Sequence, residues 1–361
     1  MTNKIKSIIS GLKDPDLNIS LGELNSITNI EINDKQINIE IELVQPITWV
    51  IPQVESLIKA ALASDFADYS ININLTELVP EGPKRHILPN VKNIIAVASG
   101  KGGVGKSATA ANLAAALSLN GSKVGILDGD VYGPSQPTMF GLVNKAFDVA
   151  EIEPGKPMAF PNENYGIKVA SIGFILNRDE AAIIRGPLLA GYFSMLFEQV
   201  EWGDLDFLIF DLPPGTGDIQ LTLTQKIPLS GAVIVTTPQE IAVSDVRRSI
   251  AMFDKVNVDI LGIVENMSYF IPDDAPDKKY FIFGEGGGRR VAKDHGLNFL
   301  GDIPLTPSLR ELSDNGKPAI LDSSLDKNTQ KAIMDITSNV ITKLRKLNYE
   351  KITASNLEIS I

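Results

Sequence analysis

The chain predicts an α/β fold: a doubly wound, mostly parallel sheet with helices on both faces, preceded by a small α+β domain. Three observations predict it. From Val91 onward, short apolar runs rich in β-branched residues alternate with helix-period stretches, as in parallel sheets built from βα units. One such run, Ile94-Ile95-Ala96-Val97-Ala98, leads into the glycine-rich octapeptide Gly100-Lys101-Gly102-Gly103-Val104-Gly105-Lys106-Ser107 and then into an alanine- and leucine-rich helix from Ala108 to Leu119. Ahead of residue 76 the pattern is of another kind, with a period-2 hairpin between two helical stretches.

Element by element, Lys4 to Leu12 reads as a helix that stops at the turn-forming Asp14-Pro15-Asp16. Ile30 and Ile32 alternate with polar residues, Asn33-Asp34-Lys35 turns, and Ile37, Ile39, Ile41 and Leu43 alternate again, giving a hairpin with one buried face. Val50, Val54, Leu57, Ile58, Ala61 and Leu62 mark a helix, and Tyr69, Ile71, Ile73 and Leu75 return to strand period. The expected division is a small domain over 1–76, a linker over 77–90 whose prolines and glycine oppose helix or inner strand, a larger α/β domain over 91–348 that holds the glycine-rich octapeptide, and a loose tail over 349–361. Further strands are expected at 123–127, 205–210, 232–236 and 260–264, and further helices at 244–255, 285–295, 307–314 and 327–347.

Composition narrows the function classes. A net charge of −11 over 361 residues argues against a general nucleic-acid-binding surface. No apolar run approaches a membrane span, and the N-terminus makes a poor signal peptide, so a cytoplasmic location is expected. The chain has no cysteine, which excludes disulfides, thiolate nucleophiles and thiolate-held zinc or iron–sulfur clusters within a single chain. His86 and His295 are read as linker or surface residues.

The octapeptide fits the phosphate-loop pattern G-x-x-x-x-G-K-[ST] and carries a second lysine, Lys101. Strand, loop and helix N-terminus converge backbone N–H groups on a phosphate, and the helix dipole favours negative charge there. A nucleoside triphosphate is therefore the expected ligand (ATP, by the resemblance given below), bound by Gly100, Lys101, Gly102, Gly103, Val104, Gly105, Lys106 and Ser107. Lys106 is expected on the β- and γ-phosphates and the Ser107 hydroxyl on Mg²⁺. Leu205-Asp206-Phe207-Leu208-Ile209-Phe210-Asp211 is an apolar strand ending in a carboxylate, which makes Asp211 the second Mg²⁺ residue. A parallel case, Val124-Gly125-Ile126-Leu127-Asp128-Gly129-Asp130, ends in two carboxylates, of which Asp130 is the better placed to orient the attacking water. The alternative role for Asp128 and Asp211 is a helix cap or turn residue.

The loop with its extra lysine resembles the deviant phosphate loop of MinD/ParA-type ATPases. Three further stretches, Asp128-Gly129-Asp130-Val131-Tyr132-Gly133-Pro134-Ser135-Gln136-Pro137, Asp211-Leu212-Pro213-Pro214-Gly215-Thr216-Gly217-Asp218 and Glu265-Asn266-Met267-Ser268, are similar to the Mrp/ApbC family, ATPases that carry or help assemble iron–sulfur clusters. The resemblance covers about residues 88–345, and the N-terminal unit resembles the small domain often fused ahead of such ATPases. It implies a homodimer in which Lys101 reaches the partner's phosphates, as an arginine finger does. It also implies that Asn266 contacts adenine, that Pro304 to Leu309 lines the base pocket, and that partners are iron–sulfur assembly proteins and apoprotein clients. A [4Fe–4S] cluster is implied too, but cluster-transferring members carry Cys-x-x-Cys just after Asn-Met-Ser. Here that segment, Tyr269-Phe270-Ile271-Pro272-Asp273-Asp274-Ala275-Pro276-Asp277-Lys278, has no cysteine and reads as a solvated loop or a hard-cation site.

Two functions follow: an ATPase of iron–sulfur assembly whose partners supply the thiolates, or an ATP-gated dimer switch that recruits another assembly. A lipid-bound switch would end in a basic amphipathic helix. Ile333, Ile336, Val340, Ile341, Leu344 and Leu347 form a stripe with Lys343, Arg345 and Lys346 alongside, equally readable as a face packed on the sheet.

Overall fold

The computed structural model describes residues 1–80, 86–175, 186–272, 274–275 and 277–359. Of the expected linker, residues 81–85 lie outside the described residues, as do Asp273 and Pro276. The chain forms two compact units, one of Met1–Pro83 with Ile341–Ile361 and one of Lys84–Val340.

In the smaller unit, α1 (Thr2–Ser10) and α2 (Ile51–Leu62) cover one face of a sheet of β1 (Ile27–Asn33), β2 (Gln36–Val44) and β3 (Ser70–Leu78). The order is β1-β2-β3, with the first pair antiparallel and the second parallel. The β2 alternation does the work expected of it: Ile37, Ile39, Ile41 and Leu43 are buried with Ile5, Ile9, Val54, Ile58 and Leu62, while the residues between them stay outside.

The larger unit holds an eight-stranded sheet. Its strands are β4 (Val91–Ala98), β5 (Val124–Asp128), β8 (Asn162–Asn164), β9 (Ile167–Ser171), β10 (Leu205–Asp211), β11 (Gly231–Thr236), β12 (Ile260–Asn266) and β13 (Phe299–Ile303). Their order is β13-β12-β11-β4-β10-β5-β9-β8, all parallel except β8. Burial on both faces explains the continuous apolar runs of β4, β10 and β11. The helix α3 (Lys106–Leu119) is buried almost all round, and its run of alanines lets it approach the sheet closely.

The sequence reading did not include the exposed hairpin of β6 (Asp148–Glu153) and β7 (Lys156–Phe160), nor the short helix α4 (Gln136–Met139). It also lacked α5 (Gly186–Glu198), α6 (Asp218–Lys226) and β13. The helices α7 (Glu240–Lys255), α8 (Gly287–Asp294) and α9 (Pro307–Asp314) lie where they were expected, within a few residues.

The C-terminal helix α10 runs Lys327–Ile359, so the expected tail from residue 349 is helical up to Ile359. Every member of its apolar stripe is buried. Up to Val340 it belongs to the larger unit, with Ile336 closing on Gly301 and the Asn339 amide donating to Leu300 O at 2.8 Å. From Ile341 it belongs to the smaller unit. There Arg345, expected beside the stripe, is fully buried. Its Nη1 and Nη2 donate to the Asp14 carboxylate at 2.9 and 2.6 Å, Nη1 also to Asp16 Oδ2 at 2.7 Å, and Nε to Val44 O at 2.9 Å. The stripe is therefore buried along its length and is not a free lipid-facing surface. Among the described residues no helix is long and apolar enough to cross a membrane.

Candidate functional site

Parallel strands of such a sheet gather their C-terminal ends on one edge, where ligands bind. Four of the five strands in the run β12-β11-β4-β10-β5, all but β11, deliver Asn266, the phosphate loop, Asp211 and Asp128 to that edge. Asp211 stands directly opposite Asp128 in the parallel register and opposite Val97, the penultimate residue of β4.

The loop glycines fall into three kinds. Gly105 caps α3 in the left-handed region, and a Cβ there would lie 2.0 Å from the Asn266 amide nitrogen. Gly100 presses on the backbone of Asp245, where a Cβ would come within 2.4 Å. Gly102 has neither reason: its backbone is outside the left-handed region and a Cβ would meet no protein atom within 4 Å. The room left there, with Gly103 beside it equally open, is room for a ligand rather than for the chain itself.

Lys106 is buried, pairs with Asp211 Oδ1 and lies 3.2 Å from Ser107 Oγ. Asp211, wholly buried, accepts at Oδ2 from Gln136 Nε2 at 2.8 Å. Lysine, serine and aspartate of the expected phosphate and Mg²⁺ site thus form one contact network. Ser107 and Asp211 offer hard oxygen donors, which suit Mg²⁺; Oε1 of Gln136, whose amide nitrogen contacts both residues, is buried without a partner, as is Oγ of the preceding Ser135. The donor chemistry fits a hard divalent cation.

Asp128 is buried and organises the turn that follows β5. Its carboxylate accepts from the backbone N–H of Asp130, Ser135 and Gln136 at 3.1, 2.9 and 3.0 Å, and from Ser171 Oγ at 3.1 Å. Burial first, and then the Asp211 charge, push its pKa up to about 7. The turn role weighed for Asp128 is the one the contacts describe. Asp130 is half-buried, accepts from Gly133 N at 3.2 Å, and is raised by burial against the opposing pull of Lys106.

Lys101 stands apart from that network, with its ammonium 3.5 Å from Gln239 Oε1. Asn266 is buried, and its amide donates to Val104 O at 2.8 Å, so it braces the loop from below. Pro304 lies farther along, buried in the wall of a cavity of about 560 Å³ with Phe270, Pro272, Thr306 and Glu311. The Thr306 hydroxyl is buried without a partner.

Downstream of Asn266, Phe270 and Tyr280 exchange backbone hydrogen bonds at 2.9 Å, Lys279 lies 4.0 Å over the Tyr269 ring, and Tyr280, Phe281 and Ile282 are exposed. A soft iron–sulfur cluster finds no thiolate here, so the residues present do not fit one. Nor, among the described residues, do three or more His, Asp or Glu converge as a metal site. Behind this segment the carboxylate of Glu265 caps the N-terminus of α8, accepting from Gly288 N at 2.5 Å. Sequence reasoning missed Gln136, Gln239 and Glu265. Gln136 stood inside a quoted motif, but nothing in its spacing showed that it faces Asp211.

Comparison with known proteins gives the same picture. Residues 90–341 match the family described as NUBPL iron-transfer P-loop NTPase, and residues 2–68 match the iron–sulfur cluster assembly protein family. The chain is 41% identical over 350 residues to the iron–sulfur cluster carrier protein of Synechocystis sp., which spans 95% of this chain and 98% of that one. It is 47% identical over 266 residues to the iron–sulfur cluster transfer protein NUBPL of Dictyostelium discoideum, across 73% and 80% of the two chains. Among solved structures, an Archaeoglobus fulgidus nucleotide-binding protein in complex with ADP is 41% identical with a TM-score of 0.57, covering 64% of this chain and 89% of that one. The septum site-determining protein MinD of Pyrococcus horikoshii, complexed with Mg-ADP, is 20% identical with a TM-score of 0.50 over 69% and 95%, and shares the fold. Fold and site define a P-loop NTPase, for which nucleotide binding is the implied property. The chain belongs to the iron-transfer P-loop NTPase family that includes the iron–sulfur cluster carriers.

Proposed function

We propose that this chain is a Mg²⁺-dependent ATPase that works as a homodimer in the assembly or transfer of iron–sulfur clusters to apoproteins, with thiolates supplied by its partners. The observation that carries the ATPase reading is the single network of Lys106, Ser107 and Asp211 at the mouth of an open phosphate loop. In that reading the loop N–H groups from Gly100 to Ser107 hold the phosphates, and Lys106 exchanges Asp211 for the β- and γ-phosphate oxygens. Ser107 and Asp211 would hold Mg²⁺, which neutralises charge developing on the phosphates. Asp130 orients water toward the γ-phosphate, Lys101 serves the partner's site, and Asn266 and Pro304 flank the base. The cluster is cargo in this reading, held by thiolates of partner chains, since this chain has no cysteine to offer.

A mixed dimer tests the trans role. Lys101→Ala and Lys106→Ala each abolish turnover alone. If Lys101 acts across the dimer, pairing the two variants leaves one site with both lysines, so partial ATP hydrolysis returns. If Lys101 acts in its own site, mixing rescues nothing. Anaerobic iron–sulfur reconstitution of the chain alone should give no [4Fe–4S] absorption, and a stoichiometric cluster there overturns the partner-thiolate reading.

A further inference from the structure

Gln136 is fully buried at the first position of α4, and the roles assigned above make no use of it. Its side-chain nitrogen donates to Asp211 Oδ2 at 2.8 Å and to Ser107 O at 3.1 Å. Its backbone N–H donates to Asp128 Oδ2. Its Oε1 is buried and unpartnered, and so is the hydroxyl of Ser135 next to it. One amide therefore touches both residues of the Mg²⁺ pair while anchored in the 129–137 loop that carries Asp130. We propose that Gln136 is the positioning residue that ties divalent-metal occupancy of Ser107 and Asp211 to the conformation of the 129–137 loop. The inference rests on the Mg²⁺-nucleotide reading of the site.

An ionised carboxylate only accepts, and here Lys106 takes Oδ1 of Asp211 while Gln136 takes Oδ2. A cation arriving at Asp211 competes with both donors. Lys106 has a phosphate to turn to. Gln136 is left with only the Ser107 carbonyl, and its own free acceptor sits on the same carbon as the nitrogen that is displaced. Turning the amide presents Oε1 to the metal's hydration shell and satisfies an atom that burial now leaves unpaired. Any displacement of Gln136 that accompanies the turn reaches the loop, because its backbone N–H is held by Asp128, which also holds the N–H of Asp130 and Ser135. The two states differ in a contact that the metal changes, which is what a ligand needs in order to shift a conformational equilibrium. A glutamine serving only as a core hydrogen bond would instead contribute equally with and without metal.

The test uses the full chain, a fluorescent ADP, and Mg²⁺ against EDTA. In Gln136→Met, close in volume and without hydrogen bonds, the ratio of ADP affinities in Mg²⁺ and EDTA should fall at least tenfold from the wild-type ratio. The Mg²⁺-dependent protection of 129–137 from hydrogen exchange should be lost with it. Gln136→Glu, which keeps an oxygen at that place, should retain most of the ratio. A wild-type ratio and protection pattern in Gln136→Met overturns the inference, as does an equal loss in Mg²⁺ and EDTA. If Gln136→Met does not fold, Gln136→Glu decides: its thermal shift on adding Mg²⁺ alone must exceed the wild-type shift at least twofold, and an equal or smaller shift overturns the proposal. Failure of the underlying reading looks different, since the wild-type chain would then bind ADP equally in Mg²⁺ and EDTA.

Discussion

Arg345 and Lys106 are both buried cations held by buried aspartates, yet their surroundings are finished to different degrees. Around Arg345, all three guanidinium nitrogens donate, both oxygens of Asp14 and of Asp16 accept, and Thr342 Oγ1 completes Asp16 at 2.6 Å. None of these side-chain atoms lacks a partner. Around Lys106, a flexible ammonium holds one oxygen of Asp211, while Oε1 of Gln136, the residue on the other oxygen, and Oγ of the preceding Ser135 have no partner. A planar fork in a saturated cage has no better arrangement available, whereas a point charge beside unpaired acceptors has an alternative as soon as a phosphate and a metal arrive. The first cluster is structural. The second has the incompleteness of a site.

The largest expected effect comes from breaking the finished cluster. Arg345→Met leaves the buried Asp14 and the partly buried Asp16 without a cation and should cost about 3–5 kcal/mol in the stability of the N-terminal unit, measured by denaturant unfolding. Arg345→Lys sharpens the point, because one ammonium cannot replace the fork, and it should recover less than half of that loss. Lys106→Ala should act on chemistry: Mg²⁺-dependent ATP hydrolysis is expected to fall at least ~100-fold, about 2.7 kcal/mol. Whatever stability it loses should be largely restored by Mg²⁺, since the metal replaces the missing charge at Asp211. An Arg345→Met chain restored by Mg²⁺, or a Lys106→Ala chain left unimproved by it, would erase the contrast.

A third buried acid gives the smallest expected effect. Glu265 has backbone N–H groups and no cation, and burial, opposed by the Gly288 N–H, raises its carboxyl above the usual range. The folded state therefore keeps its proton to higher pH than the unfolded chain, so this residue's contribution is complete below the ordinary carboxylate pKa and is lost as pH rises through the folded value. Unfolding measured across that interval should show a falling slope that Glu265→Gln removes. An unchanged slope in the variant would assign it to another group.

The phosphate loop, its strand and helix, and the carboxylate at the end of β10 were legible because one local rule wrote each of them: apolar β-branched runs for strands buried on both faces, and glycine, lysine and serine at fixed spacing for the loop. The hairpin of β6 and β7 was not, since all residues of β6 are exposed and alternation has nothing to report. Gln136 was invisible for a different reason. Its partners are 29 and 75 residues away, and a buried glutamine has no signature of its own. Arg345 was misleading, because with Lys343 and Lys346 it read as the basic flank of an amphipathic helix until the fold brought Asp14 and Asp16 to it.

The cage around Arg345 also fixes an order of manufacture. Asp14 and Asp16 leave the ribosome near the start of synthesis, and the arginine that neutralises them leaves near residue 345, after the whole nucleotide-binding unit has been made. At about 5–20 residues per second, the nascent N-terminal unit waits tens of seconds with a pair of carboxylates it cannot yet bury. The part of the chain that is made first is thus completed last, and a stop codon before Arg345 would show its damage at the opposite end of the polypeptide.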